Sequence, residues 1–227
     1  MRLLVALILM AAPAAAECRL ALVLALDVSA SVDEREDALQ RGGLARALTE
    51  PAVVDAFLAD PERPVWLSVF EWSGPYAQVG LVDWLEIASE EDLALVAGVL
   101  AASERSRDDL PTALGQALGH AAGLFRAGPD CAARTLDVSG DGRNNEGFPP
   151  ASAYRAFPLA DVTVNGLAIV GGEAGVAEYY RTEMIHGPGA FVIEADGFRD
   201  YERAMRVKLL RELQGPVIGM LAPGGRG

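Results

Sequence analysis

Basic residues are scarce in this chain: its 227 residues carry 19 Lys and Arg against 32 Asp and Glu, a formal net charge of −13. So acidic a surface argues against binding to nucleic acid or anionic lipid by bulk electrostatics, because like charges repel, and says little about a local site. Histidine is rarer still. Neither His120 nor His186 has a Ser or Cys nucleophile at recognisable spacing, which leaves a hydrolytic triad without support. Beyond the first residues no apolar run suits a membrane span, since Leu20–Leu26 is too short and the other runs carry charges or glycines. Internal repeats and long low-complexity segments are absent. The acid- and asparagine-rich stretch from Asp141 to Glu146 lacks the ligand spacing of an EF-hand.

What is present points to one exported α/β domain. Arg2 precedes the apolar run Leu3–Ala12, and Ala14-Ala15-Ala16 supplies small residues for cleavage, so residues 1–16 read as a secretory signal peptide. Arg2 is the one charge in that segment, and its removal leaves a net of −14. Glu17 directly before Cys18 argues against a lipid anchor. The location expected is periplasmic or secreted, where the even pair Cys18 and Cys131 becomes a disulfide candidate. With 51% hydrophobic residues, the rest suits a single domain over 17–214, followed by a loose Gly- and Pro-rich tail over 215–227.

The organising stretch is Leu20–Ser31, L-A-L-V-L-A-L-D-V-S-A-S. Seven unbroken apolar residues read as a strand covered on both faces, as in a parallel sheet. Ligands of open α/β sheets sit outside the carboxyl ends of strands, where Asp27, Ser29 and Ser31 fall. A helix is expected to begin near Ser31, weakened at Gly42-Gly43, and Pro51 to open a short second helix. Val65–Glu71 and Gln78–Leu85 read as a hairpin at an antiparallel edge of the sheet. Ser89 to Asp92 resembles a capping box opening a helix with Leu93, Val96, Ala97 and Leu100 on one face. A second periodic helix carries Leu114, Ala117, Leu118, Ala121, Leu124 and Phe125, which places Thr112 in a loop at its N-terminus. Arg134–Ser139, Val162–Val170 and Ala190–Ile193 read as further strands, and a last helix starts from about Gly197.

A strand ending in D-x-S-x-S, then a loop Thr opening a helix, then a strand ending in S-G-D-G, resembles the von Willebrand factor A domain and its metal-ion-dependent adhesion site. Asp27, Ser29 and Ser31 match the first motif, Thr112 the second-loop threonine and Asp141 the third-loop aspartate. The fuller pattern D-V-S-A-S, F-E-W-S, L-D-V-S-G-D-G-R-N-N, N-G-L-A-I and G-P-G-A-F-V is similar to a family of exported proteobacterial proteins of unknown function with this fold. The resemblance implies a Rossmann-like, mostly parallel open sheet with one antiparallel edge strand and helices on both faces. It also implies a divalent cation, Mg²⁺ in the first place with Mn²⁺ or Ca²⁺ as alternatives, held by Asp27, Ser29, Ser31, Thr112 and Asp141. The partner implied is a protein presenting an Asp or Glu carboxylate. Short hydroxyls and one or two carboxylates suit Mg²⁺, which takes six oxygens and rarely fills its shell with protein ligands alone. One departure is Asp108-Asp109-Leu110-Pro111 before Thr112, where many members have glycine. The fold's usual strand order would also set Cys18 beside Cys131, at the ends of neighbouring strands opposite Asp27 and Asp141.

Plainer readings exist for each residue. Asp27, Ser29 and Ser31 could form an N-cap cluster, and Asp141 could be a turn residue beside Gly142. Asp137, inside a strand, needs a partner and is not expected to be a ligand. Glu71-Trp72-Ser73 could line the rim or merely close a strand. A Mg²⁺-dependent phosphohydrolase with Asp27 as nucleophile is the enzymatic alternative, but Ser29 stands where such enzymes have a second acid. A structural module with an empty metal site is the other alternative.

Overall fold

The computed structural model describes residues 18–214; the expected signal peptide over 1–16 and tail over 215–227 lie outside the described residues. Six strands form one sheet in the order β3-β2-β1-β4-β5-β6. They are β1 (Leu20–Asp27), β2 (Val65–Trp72), β3 (Gln78–Ile87), β4 (Arg134–Gly140), β5 (Val162–Val170) and β6 (Val192–Asp196). All neighbours are parallel except β2 and β3, the expected antiparallel edge.

Every residue of β1 is buried, as its unbroken apolar run requires. The strand's period of two divides the core. Leu20, Leu22, Leu24 and Leu26 pack with α1 (Glu34–Leu48), α2 (Pro51–Phe57), α3 (Glu90–Ala102) and α7 (Tyr201–Leu213). Ala21, Val23 and Ala25 face α4 (Leu114–Ala127), α5 (Pro150–Ala156), α6 (Val176–Tyr179) and the π-helical turn Tyr180–Met184. Among the described residues, no helix is long and apolar enough to cross a membrane.

Three expectations shift. The first helix begins at Glu34 rather than near Ser31, because Asp33 is its cap: Asp33 accepts from Glu36 N at 2.8 Å, and Glu36 accepts from Asp33 N at 2.9 Å. Gly42-Gly43 does not interrupt it, and Gly43 instead lets α7 approach, since a Cβ there would lie 3.0 Å from Tyr201 Cδ1. The last strand runs from Val192 to Asp196, later than expected, because the Phe191 amide donates to Asn165 Oδ1 before sheet pairing starts at Gly166↔Val192. Cys18 and Cys131 form the expected disulfide, with Cα atoms 4.7 Å apart, joining the amino ends of β1 and β4.

Candidate metal centre

The three loops that leave β1, lead into α4 and leave β4 meet at the carboxyl edge of the sheet. Their backbones are tied together directly: Ala30 N donates to Leu110 O at 2.8 Å between the first and second loops, and Asn145 N to Thr112 O at 3.0 Å between the third and second. The end of β2 braces them, with Ala113 N donating to Ser73 O and Val28 N to Trp72 O, both at 2.9 Å. Asp108 and Asp109 lie exposed on the second loop, while Leu110 supplies the carbonyl that docks it on the first.

On this base all five expected side chains come together. Ser31 Oγ donates to Asp141 Oδ1 at 2.7 Å, Ser31 and Ser29 Oγ lie 3.2 Å apart, and Thr112 Oγ1 donates to Ser29 Oγ at 3.2 Å. Asp27 Oδ1 accepts from Ser29 N at 2.8 Å, and Gln40 Nε2 holds the Asp27 carbonyl at 2.9 Å. Asp27, Ser29, Thr112 and Asp141 are buried, and Ser31 is exposed at the mouth. The helix cap is Asp33, so the D-x-S-x-S residues are not spent on capping α1. Their hydroxyls face one another and Asp141.

The electrostatics of the cluster are unbalanced. Asp27 is fully buried, its Oδ2 has no hydrogen-bond partner, and no basic side chain pairs with Asp27 or Asp141 among the described residues. Burial, then the Asp141 charge, pushes Asp27 up to about 7 against the Ser29 hydrogen bonds. Asp141 is raised by burial, with Glu36 and Glu173 adding to the effect and Ser31 opposing it. A cation would relieve both groups. The donors are all oxygens, the hard set that suits Mg²⁺, Mn²⁺ or Ca²⁺. No group of three or more His, Cys, Asp and Glu gathers anywhere among the described residues, so a nitrogen- or sulfur-rich metal site has no candidate there.

Several supporting residues were not singled out from the sequence. Asn145 Oδ1 accepts from Thr112 N at 2.9 Å, and Asn144 Oδ1 from Gly115 N at 3.1 Å, so the R-N-N stretch after Asp141 clamps the second loop. Glu173 accepts from Arg143 N at 2.7 Å and Nε at 2.6 Å, which pins the third loop. Short polar residues directly after a site motif were the only signal for the asparagines; Glu173 had none. Glu71 is buried and paired with Arg41, and it accepts from Ser106 N at 2.7 Å, so it anchors the second loop rather than lining the rim. Asp137 is distant in role: Lys208 Nζ lies 2.9 Å from its Oδ1. His120 packs against Phe70, and His186 stacks on Tyr154.

Over residues 17–217 the chain matches the family described as protein of unknown function (DUF1194). No curated protein matches it. Among solved structures it is similar to proximal thread matrix protein 1 from the mussel byssus, determined with a zinc-occupied MIDAS motif, at 16% identity and a TM-score of 0.65 over 88% of this chain and 49% of that one. A von Willebrand factor type A structure from Catenulispora acidiphila is similar at 15% identity and a TM-score of 0.64, over 86% of this chain and 43% of that one. The pilus adhesin SpaC from Lactobacillus rhamnosus GG, in its open conformation, gives 15% and 0.60, over 86% and 30%. The chain thus spans half or less of the length of these proteins. At such identities the likeness is one of fold, and the fold is that of a von Willebrand factor A domain.

Proposed function

Since the chain belongs to this family of proteins of unknown function and has a von Willebrand factor A fold, we propose that it is an exported binding module. In this reading residues 1–16 are a leader, 17–214 the domain and 215–227 a tail. Asp27, Ser29, Ser31, Thr112 and Asp141 hold one divalent cation, Mg²⁺ or Mn²⁺, directly or through water. The observation that carries the reading is the convergence of five oxygen-bearing side chains, among them a buried Asp27 that pairs with no basic side chain among the described residues.

Bound there, the cation would offer a Lewis-acidic position to an oxygen ligand from outside. Two aspartates and one divalent ion sum to about zero, so an incoming Asp or Glu carboxylate of a partner protein meets no net repulsion at the ion. The chain's own residues do the rest. Asn144 and Asn145 hold the second loop, Arg143 ties down Glu173 at the rim, and the exposed Ser31 marks the open side. The zinc-occupied MIDAS motif of the mussel protein supports a divalent ion, and the pilus adhesin supports a binding role. A phosphohydrolase role is disfavoured, because Ser29 stands where the second acid would be needed and it is spent on Ser31 and Thr112.

The test is copurification from the native envelope fraction, first in Mg²⁺ and then in chelator. A partner retained only with the ion, and lost when its carboxylates are blocked with a carbodiimide and an amine, is expected. Retention that ignores both treatments would contradict the reading.

A further inference from the structure

Tyr180 opens the π-helical turn after α6, and its carbonyl takes the Ile185 N–H at 3.0 Å in the wide bond that defines such a turn. These turns are rare and concentrate at functional sites. The Tyr180 side chain is fully buried, yet its hydroxyl has no hydrogen-bond partner. An unpaired buried hydroxyl is costly, so its position calls for an explanation.

Two strand glycines make room for it. A Cβ on Gly166 would come within 2.8 Å of Tyr180 Cδ2, and one on Gly140 within 2.6 Å of the Tyr180 hydroxyl. That same Gly140 Cβ would lie 2.7 Å from Asp27 Oδ2. The free hydroxyl and the free carboxylate oxygen therefore flank one spot over Gly140, where the absence of a side chain lets them face each other. One can donate and the other can only accept once ionised. Asp27 is also the charge that acts most on the Tyr180 phenol, after burial itself, in holding it well above its ordinary range.

We propose that Tyr180 is a positioning residue for Asp27: its hydroxyl donates to Asp27 Oδ2 through one bridging water. The carboxylate is then fixed from two sides, by Ser29 N on Oδ1 and by Tyr180 on Oδ2. This rests on the cation reading above. Groups that orient a metal ligand from behind change metal affinity by about 10–100-fold when removed, because the ligand then loses both its orientation and its compensated charge.

Calorimetry with Mn²⁺ on the full chain tests it, together with thermal melting in chelator. Tyr180→Phe keeps the ring and removes only the hydroxyl; it is expected to bind Mn²⁺ about 10–100-fold more weakly while still melting, metal-free, in one cooperative transition. Gly140→Ala, which drives a methyl between the two atoms, gives a comparable loss, and the double variant loses no more than the weaker-binding single one. Parent-like affinity in Tyr180→Phe overturns the inference and leaves the cation reading standing. Additive losses in the double variant, or a metal-free Tyr180→Phe that no longer melts cooperatively, assign Tyr180 to packing and overturn it as well. Absence of Mn²⁺ binding by the parent overturns the cation reading and this inference with it.

Discussion

Asp27 at the end of β1 and Asp137 in the body of the adjacent β4 are both fully buried, and burial pushes both carboxyls up. They differ in what answers their charge. Asp137 faces Lys208 on α7, whose Nζ lies 2.9 Å from Asp137 Oδ1 and 2.6 Å from Glu212 Oε1, and Asn165 Nδ2 donates to that Glu212 oxygen at 2.8 Å. Lys208 is the only lysine in the chain and is itself buried. Asp27 faces hydroxyls and a second aspartate, and no basic side chain pairs with it among the described residues. Where the fold closes over Asp137 it supplies an internal counter-charge; at the open edge of the sheet the described residues supply none. That difference is the physical case for an external cation at Asp27.

Lys208→Met should produce the largest effect on stability. It leaves Asp137 and Glu212 buried without their cation, a loss of about 3–5 kcal/mol, read by denaturant unfolding. If the variant were as stable as the parent, the buried triad would not need its ammonium and the contrast would fail. Reduction of the Cys18–Cys131 bond acts on the opposite ends of the same two strands. It should cost about 2–5 kcal/mol while leaving Mn²⁺ affinity unchanged in the fraction that stays folded, which separates the scaffold from the edge.

Asp27→Asn acts through pH. Because the folded carboxyl is raised to about 7, its contribution to metal-free stability is fully present below the ordinary Asp value and lost as pH rises through about 7. The parent in chelator should therefore lose on the order of 3 kcal/mol relative to Asp27→Asn between pH 4 and 8, and Mn²⁺ should restore much of it to the parent alone. Equal pH profiles for the two proteins would remove the charge imbalance on which the comparison depends. Asp109→Ala, on the exposed part of the second loop, should change stability by less than about 0.5 kcal/mol and leave Mn²⁺ binding intact; a lost ion would extend the site beyond the five residues.

How much of this the residues announced depends on the range of the interaction concerned. The β1 run ends at Asp27 as its apolar stretch does, β5 spans Val162–Val170 as read, and Ser89 caps α3 through its own and Asp92's side chain. These are local signals. The three candidate loops were legible because a short motif marks each, and the fold's strand order brings them to one edge. The α5 helix was hidden by Pro149-Pro150, which resembles a loop but starts a helix whose first turn needs no donor from Pro150. The α6 segment and its π-helical turn carry no long period of their own and take shape by packing Tyr180 and Met184 over Gly166. The start of α1 was misplaced because Ser31 and Asp33 are both good caps, and only the structure shows Ser31 turned to Asp141 instead. Asp137 plainly needed a partner, but that the partner is Lys208 depends on how α7 lies across the sheet, a contact no local pattern encodes.

The central claim, that the carboxyl edge takes an outside cation because Asp27 has no inside one, is tested most directly by titrating chelator-treated protein with Mg²⁺ and Mn²⁺ in a calorimeter beside its Asp27→Ala variant. One ion bound per parent chain and none by the variant is the predicted result. No binding by the parent, or the same binding by both, would contradict it.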